Sequence, residues 1–399
     1  MAGSGIIFLL ACGAFLSAAA LRVCDALLPR VADEFARSHG EAGYVVTYFA
    51  LAYGVMQLLF GPLGDRYGKQ RLVCLALFGC AVGAIMSLLS GSFTTLVAGR
   101  LVWGMAAAGI VPLAMAWIGD AVPYERRQAT LARFLTGTLT GMIAGQLLGG
   151  IFAERAAGWR GAFVLLTLGY LVVGTLLTLH VRRTPAPPRA AAAGKLRLGG
   201  NFGNVIKSRW SRIVLLAVLA EGVFLLGPMA YIPSYLHERF GLSLTVAAGI
   251  TALYAVGGLA YAMFARRILA RIGEHRMLAY GGVLVGAGFL AWWVVPYWGA
   301  AGLTAFAVGF GTYLFHNTLQ THATQMAPQF RGTAVSLFAF CLFTGQALGV
   351  LLAGLLVDRA SYVPMLAAAA LAMPLAGCAA GAGLARIHGG AGGASRQPR

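Results

Sequence analysis

Two acidic residues stand inside apolar stretches, where a carboxyl group can serve as a proton carrier. Asp25 follows Arg22 by three residues, and Glu221 stands among alanine, leucine and valine. Low polarity favours the neutral form of an acid, so a modest change in exposure can load or release a proton. Asp25 and Glu221 are therefore candidates for proton coupling. The alternatives are a permanent salt bridge between Asp25 and Arg22, which share a helical face, and a Glu221 carboxyl held by a hydrogen bond.

The segment 316–322, which reads HNTLQTH, is the densest polar run in any apolar block. His316 and Gln320 are four residues apart and share a helical face, so we expect them, with Asn317, to line a cavity. His316 is either a proton relay or a buried histidine bonded to a neighbour. No metal site is expected, because His316 and His322 lie on different faces and no nearby acid or cysteine completes a ligand set.

Membrane-spanning helices must position these residues. Of the 399 residues, 59% are hydrophobic and only 11% are charged, whereas soluble domains have about a quarter charged residues. The apolar residues form unbroken blocks of about 20, the length that crosses about 30 Å of hydrocarbon as an α-helix, without the alternation of a β-barrel. The fold class is therefore an all-α membrane protein with twelve transmembrane helices. The predicted spans are 6–28, 42–63, 72–89, 94–118, 129–152, 161–179, 213–235, 242–264, 277–295, 302–326, 334–356 and 363–384.

The net charge of +18 does not indicate nucleic-acid binding, because the basic residues follow the loops. With a cytoplasmic N-terminus, most lysines and arginines fall on the cytoplasmic side, as the positive-inside rule requires. Both termini are then cytoplasmic. The stretch 180–212 is basic and rich in proline, alanine and glycine, and we expect a solvated linker near anionic lipid, with a binding site for a regulatory partner as the alternative.

An internal repeat predicts two halves. PYER at 123–126 precedes GQLLG at 145–149, and PQFR at 328–331 precedes GQALG at 345–349. Parallel repeats of this kind produce two six-helix bundles, related by an axis along the membrane normal, with the substrate site between them. The repeat-related Gln146 and Gln346 either line that site or bond between helices. The predicted organisation is an N-terminal bundle (1–179), a linker (180–212), a C-terminal bundle (213–385) and a cytoplasmic tail (386–399).

The most specific motif is the segment 61–71, GPLGDRYGKQR. Its glycines permit close helix approach and a tight turn, and Asp65 can bind backbone N–H groups at a helix end or pair with Arg66 or Arg71. The segment resembles the loop signature of the major facilitator superfamily, G-x-x-x-D-R-x-G-[RK]-[RK], and departs from it at Gln70. The resemblance implies a loop that closes the cytoplasmic side without touching substrate. The gating residues would be Gly61, Asp65, Arg66, Gly68, Lys69 and Arg71.

The fourth predicted span contains RLVWG at 100–104, similar to the R-x-x-x-G element of the same family. The resemblance implies that Arg100 influences the protonation of nearby acids. A cation at this depth needs a partner, because an uncompensated charge within a span costs several kcal/mol. The alternative is an arginine that extends its charge to the membrane surface from near the helix end.

The fifth predicted span carries glycine at every fourth position, and this spacing lets two helix backbones touch. It resembles the glycine-rich antiporter motif of drug-efflux members, with Gln146 where the family usually has proline. Ordinary helix packing explains the same spacing. The helix-packing residues would be Gly141, Gly145, Gly149 and Gly150.

Four further residues, Tyr53, Gln57, Tyr231 and Tyr254, could supply aromatic or polar contacts to a substrate. Aromatic residues in membrane helices also serve as packing residues or interface anchors.

The resemblance to the twelve-span drug and sugar (arabinose-type) efflux branch implies an exporter of small organic molecules that works by alternating access. The proton gradient would supply the energy, without a cofactor. An importer or passive exchanger of a metabolite is the alternative, because the fold alone does not exclude it. An enzyme is not expected, because the sequence has no nucleophile with a base and no metal cluster. The expected partners are a small-molecule substrate, protons and the lipid bilayer, and we expect a monomer in a bacterial inner membrane.

Overall fold

The computed structural model describes residues 4–156, 158–183 and 202–393, and helices make up nearly all of these ranges. Eleven of the described helices are long and apolar enough to cross a membrane. A twelfth, Gly299–Gln325, has 27 residues but is more polar, because it contains the segment 316–322. In chain order the helices are α1 (Gly5–Phe35), α2 (His39–Tyr67), α3 (Lys69–Leu88), α4 (Phe93–Ala121), α5 (Tyr124–Ala153), α6 (Gly158–Arg183), α7 (Arg209–Phe240), α8 (Leu244–Ile272), α9 (Glu274–Val294), α10 (Gly299–Gln325), α11 (Pro328–Arg359) and α12 (Tyr362–Gly393).

The segments at the predicted boundaries are partly helical. Residues 184–201 of the predicted linker lie outside the described residues, and the short helix Phe202–Lys207 precedes α7. The predicted tail, 386–399, begins inside α12, and its last six residues, 394–399, lie outside the described ranges.

Glycine ends the second helix of each half. Gly68 follows α2 with φ 93°, and Gly273 follows α8 with φ 74°. These backbone angles favour glycine, because a Cβ is strained there. The two halves therefore turn in the same way after their second helix.

The glycines of α5 place this helix directly on the backbone of α1. A Cβ on Gly137 would lie 2.6 Å from the carbonyl oxygen of Ala11. The register continues with Gly141 against Phe15, Gly145 against Ala19 and Gly149 against Val23. In the other half, α11 lies on α7 in the same register, with Gly345 against Leu219 and Gly349 against Val223. The repeat seen in the sequence is thus a repeat of helix packing, and the predicted fold of two related six-helix bundles is confirmed.

Both candidate acids lie where regular α-helix is interrupted. In α1, the α-helical geometry stops at Arg22 and a 3₁₀ turn covers Asp25–Leu27. In α7, a π-helical segment covers Gly222–Leu226, directly after Glu221. Such π segments are frequent at functional sites. The first helix of each half therefore carries an acid beside a local break.

Candidate functional site

The Arg22–Asp25 pair of α1 is buried at the contact between the halves. The two side chains form an ion pair of 3.4 Å, and they are 6% and 1% exposed. The Oδ1 atom of Asp25 has no hydrogen-bond partner. The guanidinium carbon of Arg22 lies 6.0 Å from the ring centroid of Tyr254 in α8. The pair therefore faces the other half and keeps one carboxylate oxygen available.

Arg100 does not extend its charge to the membrane surface, as one alternative allowed. It is fully buried, and it donates from Nε to the Val45 carbonyl and from Nη2 to the Ala20 carbonyl, both at 3.1 Å. Its guanidinium also lies over the ring of Phe49, 4.1 Å from the centroid. These contacts tie α4 to α1 and α2. Its positive charge also acts on Asp25, but burial and the contact with Arg22 have larger effects on that acid.

Buried Glu221 and half-buried His316 form the second pair. The Nδ1 atom of His316 lies 2.9 Å and 3.1 Å from the two carboxylate oxygens of Glu221. Glu221 is 1% exposed, and the His316 ring lies 5.5 Å from that of Phe338. The histidine is therefore bonded to a neighbour, and that neighbour is itself a candidate proton carrier. Transfer of a proton between the two groups needs no movement of the helices.

Two tyrosines lie between the two pairs. Tyr254, which contacts Arg22, has its ring centroid 6.4 Å from that of Tyr313. The charges of Arg22 and Glu221 act on the hydroxyl groups of both tyrosines. The Tyr313 hydroxyl also lies 3.9 Å from the sulfur of Met142, across the interface. Sequence reasoning missed Tyr313. Its position three residues before His316, on the same helical face, was the available signal.

A small cavity of about 20 Å³ lies beside the Arg22–Asp25 pair. Of the predicted cavity residues, Gln146 and Tyr254 line it. Met142 from α5 and Met229 from α7 also line it and were missed in the sequence, because methionine in an apolar helix has no distinctive pattern. The lining residues come from both halves: Arg22, Asp25, Met142, Gln146, Met229, Thr251, Ala252, Tyr254 and Ala255.

Three other predicted cavity residues fill contacts between helices. Tyr53 packs on Phe343 of α11, with centroids 4.3 Å apart. The side-chain amide of Gln57 donates to the Ala108 carbonyl at 3.2 Å, inside the N-terminal half. Tyr231 donates towards the carbonyls of Gly40 and Val350, at 3.4 Å and 3.2 Å. Tyr53 and Tyr231 thus join the halves directly.

The polar residues predicted on α10 and α11 differ in their surroundings. Gln346 is fully buried, and neither of its amide heteroatoms has a hydrogen-bond partner. Asn317 is half-buried and Gln320 is exposed. His322 is buried, and its Nε2 lies 3.5 Å from Glu274 at the start of α9. Gln346 is therefore a buried residue whose side-chain amide is available to bond a polar group.

In the loop segment 61–71, the ion pair of Asp65 differs from the predicted one. Asp65 pairs with Lys69 at 3.6 Å, and not with Arg66 or Arg71. Lys69 also pairs with Asp120 at the end of α4. The pairing is local because the tight turn at Gly68 separates the end of α2, which carries Asp65, from the start of α3, which carries Lys69. These ion pairs connect α2, α3 and α4, all within the N-terminal half.

Two glycines of the loop also have distinct roles. A Cβ on Gly61 would meet no atom within 4 Å, so Gly61 does not provide the close approach that the sequence suggested. Gly68 makes the predicted tight turn. Arg66 lies over the ring of its neighbour Tyr67, at 5.3 Å, and Arg71 is exposed. We call this end of the molecule, with Asp65, Lys69 and Asp120, the Asp65 face.

The opposite end, which we call the Asp358 face, holds hydrogen bonds that cross between the halves. Asp358 of α11 accepts from the backbone N–H of Gly40 at 2.8 Å and from the Ser38 hydroxyl at 2.6 Å. Glu154, after α5, accepts from the backbone N–H of Leu244 at 2.9 Å. The Asp358 face is therefore closed in this structure.

Comparisons with known proteins agree with the geometry. The family model described as Major Facilitator Superfamily matches residues 10–350. The uncharacterized MFS-type transporter YceJ of Bacillus subtilis is 22% identical over 84% of this chain and 85% of its own length. The thioclapurine efflux transporter tcpA of Claviceps purpurea is 28% identical over 46% of this chain and 33% of its own length. A crystal structure of the nucleoside transporter NupG has a TM-score of 0.77 at 14% identity, covering 95% of this chain and 99% of that one.

Proposed function

The chain belongs to the major facilitator superfamily and is a membrane transporter of that class; on this premise we propose that it exports small organic molecules, such as drugs or sugars, in exchange for protons. Transport proceeds by alternating access, with the cavity between the halves opening to one face at a time. The proton gradient supplies the energy. The relationship to an efflux transporter, tcpA, supports export over import.

The observation that carries the proposal is the presence of one buried acid in each half. Asp25 lies in the N-terminal half beside the cavity, and Glu221 lies in the other half, bonded to His316. Ionisable groups within spans are costly and mark proton or substrate pathways by default. Each acid has one basic partner, Arg22 for Asp25 and His316 for Glu221, and the contact between acid and base can change as the halves move.

Tyr254 links the two acids to the cavity. It lines the cavity and lies over Arg22 at 6.0 Å, within range of the Glu221 charge. A substrate that displaces Tyr254 would weaken its contact with Arg22, and Arg22 could then move relative to Asp25. Substrate binding and the proton affinity of Asp25 are coupled in this way, which exchange transport requires.

The same ion pairs favour a second candidate, passive exchange or import of a metabolite. Asp25 is already neutralised by Arg22, and Glu221 is already bonded to His316. A carrier that uses these pairs only as static polar contacts would move substrate without moving protons.

Reconstituted vesicles with an internal pH-sensitive dye distinguish the two functions. Candidate drugs and sugars are added, and proton movement is recorded for the wild type, Asp25→Asn and Glu221→Gln. We expect substrate-dependent proton flux in the wild type and its loss in both variants, because neither amide can carry a proton. Glu125→Gln, which changes an exposed acid at the start of α5, is the matched control and should retain the flux.

Substrate flux without proton movement in all of these proteins would contradict proton coupling and support the passive exchanger. We further propose a monomer in a bacterial inner membrane, with the Asp65 face and both termini in the cytoplasm, as the distribution of basic residues supports. Light scattering of the purified protein tests the monomer, since a protein mass well above 41.6 kDa would contradict it.

A further inference from the structure

Two carboxylates on the Asp358 face bind helix starts in the half to which they do not belong. Glu154 follows α5, and its two oxygens accept from the backbone N–H groups of Leu244 at 2.9 Å and Thr245 at 3.4 Å. The Thr245 hydroxyl also donates to Glu154. Leu244 is the first residue of α8, so Glu154 covers free N–H groups at the start of that helix.

Asp358 does the same in the opposite direction. It lies in the last turn of α11 and accepts from the Gly40 backbone N–H and the Ser38 hydroxyl. Ser38 is the N-cap of α2, since its own hydroxyl accepts from the N–H of Glu41. Ser243 caps α8 in the same way, by accepting from Val246. The fifth helix of each half thus ends in an acid that contacts the start of the second helix of the other half.

A glycine one turn before each acid permits the approach. A Cβ on Gly150 would lie 2.5 Å from Cβ of Ala248 in α8, and a Cβ on Gly354 would lie 2.8 Å from Cα of Gly40 in α2. Both distances are too short for a real side chain. The sequence has the same pattern at both sites, GIFAE at 150–154 and GLLVD at 354–358. The repeat therefore includes, besides the helices, a glycine and an acid that make the contact with the other half.

We infer that Glu154 and Asp358 are reciprocal gate residues, which hold the Asp358 face closed during transport and release it when both sets of hydrogen bonds break. A carboxylate at a helix start is stabilised by free N–H donors and by the helix dipole, and its hydrogen bonds are stronger than those between neutral groups. The hydrogen bonds of Glu154 and those of Asp358 both cross between the halves, so opening of this face must break both sets. This role rests on the proposed alternating access, but it does not depend on proton coupling or on the substrate.

The test measures the distance between the halves directly. Spin labels are placed on Gly91→Cys, between α3 and α4, and on Trp298→Cys, between α9 and α10, in a background without the six native cysteines. Both sites are exposed on the Asp358 face. Pulsed electron spin resonance on protein in lipid nanodiscs then gives the ratio of open to closed molecules.

We expect Glu154→Gln and Asp358→Asn each to raise the open-to-closed ratio about tenfold, the change that follows from weakening charge-assisted hydrogen bonds. The double variant should raise it further. Asp33→Asn is the matched control, because Asp33 is an exposed acid on the same face whose carboxylate makes no hydrogen bond in the described structure. An unchanged ratio in both single variants, or an equal rise in the control, would overturn the inference.

Thr245→Val keeps the test decisive if an acid variant folds poorly. It removes the hydroxyl that donates to Glu154 and to the Gly150 carbonyl and leaves both acids in place. We expect a smaller rise in the open population, and little added effect when Thr245→Val is combined with Glu154→Gln, because both changes weaken one contact. Fully additive effects would contradict the inference that both changes act on the contact between Thr245 and Glu154. A shift in these distances together with an absence of proton flux would support the gate and reject only the coupling.

Discussion

The two ends of the molecule use charge in different ways. On the Asp65 face, the ion pairs of Lys69 with Asp65 and Asp120 stay within the N-terminal half. On the Asp358 face, Glu154 and Asp358 reach across to the other half. Ion pairs inside one bundle move with it and do not resist separation of the halves. The difference indicates that this conformation is held by the Asp358 face.

The largest expected effect comes from blocking closure of the Asp358 face. Gly150→Val places a branched side chain where a single Cβ would already collide with Ala248. Closure of this face should fail, and substrate flux in vesicles should fall about tenfold or more, since overpacking a tight contact costs about 1–3 kcal/mol. Gly119→Val is the control, because no atom lies within 4 Å of its Cβ. Equal flux in both variants would contradict a closed contact at Gly150.

A smaller effect is expected from lowering the pH on the Asp358 side of the membrane. Burial raises the pKa of Glu154, but hydrogen bonds from Thr245 and Leu244 lower it by more, so the pKa lies below the ordinary range. A depressed pKa means that Glu154 supports the closed state above its ordinary pKa and loses that support as pH falls through the lowered pKa. Acidifying the Asp358 side should therefore favour opening, measured with the same spin labels. The effect is modest, because the carboxylate is exposed and solvent screens it.

The pH dependence has a direct control. In Glu154→Gln the group no longer titrates, so most of the acid-induced opening should disappear. The charged residues that share a groove with Glu154, namely Arg30, Asp33, Glu34 and Arg155, are unchanged in this variant. Opening after acidification of the Asp65 side alone would contradict the assignment of the effect to this face.

The smallest effect is expected at the Asp65 face. Lys69→Ala removes both ion pairs of the loop, and exposed pairs contribute about 0–1 kcal/mol. The melting temperature should therefore fall by only a few degrees, about 2–4 °C per kcal/mol for domains of 150–250 residues. The spin-label distances on the Asp358 face should not change, because these pairs do not cross between the halves. A large change in those distances would show that the two faces are coupled through this loop.

The sequence was sufficient where a pattern has one physical solution. Unbroken apolar blocks of span length have to form membrane helices, because only helices and closed β-barrels satisfy the backbone in lipid and barrel strands alternate apolar and polar residues. Glycine at every fourth position predicted close helix contact, and Gly145 and Gly149 make it. Asp25 and Glu221 were found because acids are rare in such blocks.

Contacts between residues far apart in the sequence could not be predicted from it. Glu221 and His316 are 95 residues apart, and nothing local specifies which helices meet. Met142 was missed because methionine in an apolar helix has no distinctive pattern. Glu154 was missed because the sequence around it resembles that of an ordinary loop. Asp65 was expected to pair with an arginine and instead pairs with Lys69, because the Gly68 turn brings the first residue of α3 back towards the end of α2.

By itself, the amino-acid sequence determined the class of protein, the number of long helices, the repeat and the residues with unusual chemistry, because hydropathy and spacing act locally along the chain. The tertiary structure alone decided which half each acid faces, which tyrosines lie between the acids, and which end of the molecule is closed. Those outcomes depend on the angle and register at which two bundles meet. Many side chains set that angle jointly, and no short segment encodes it.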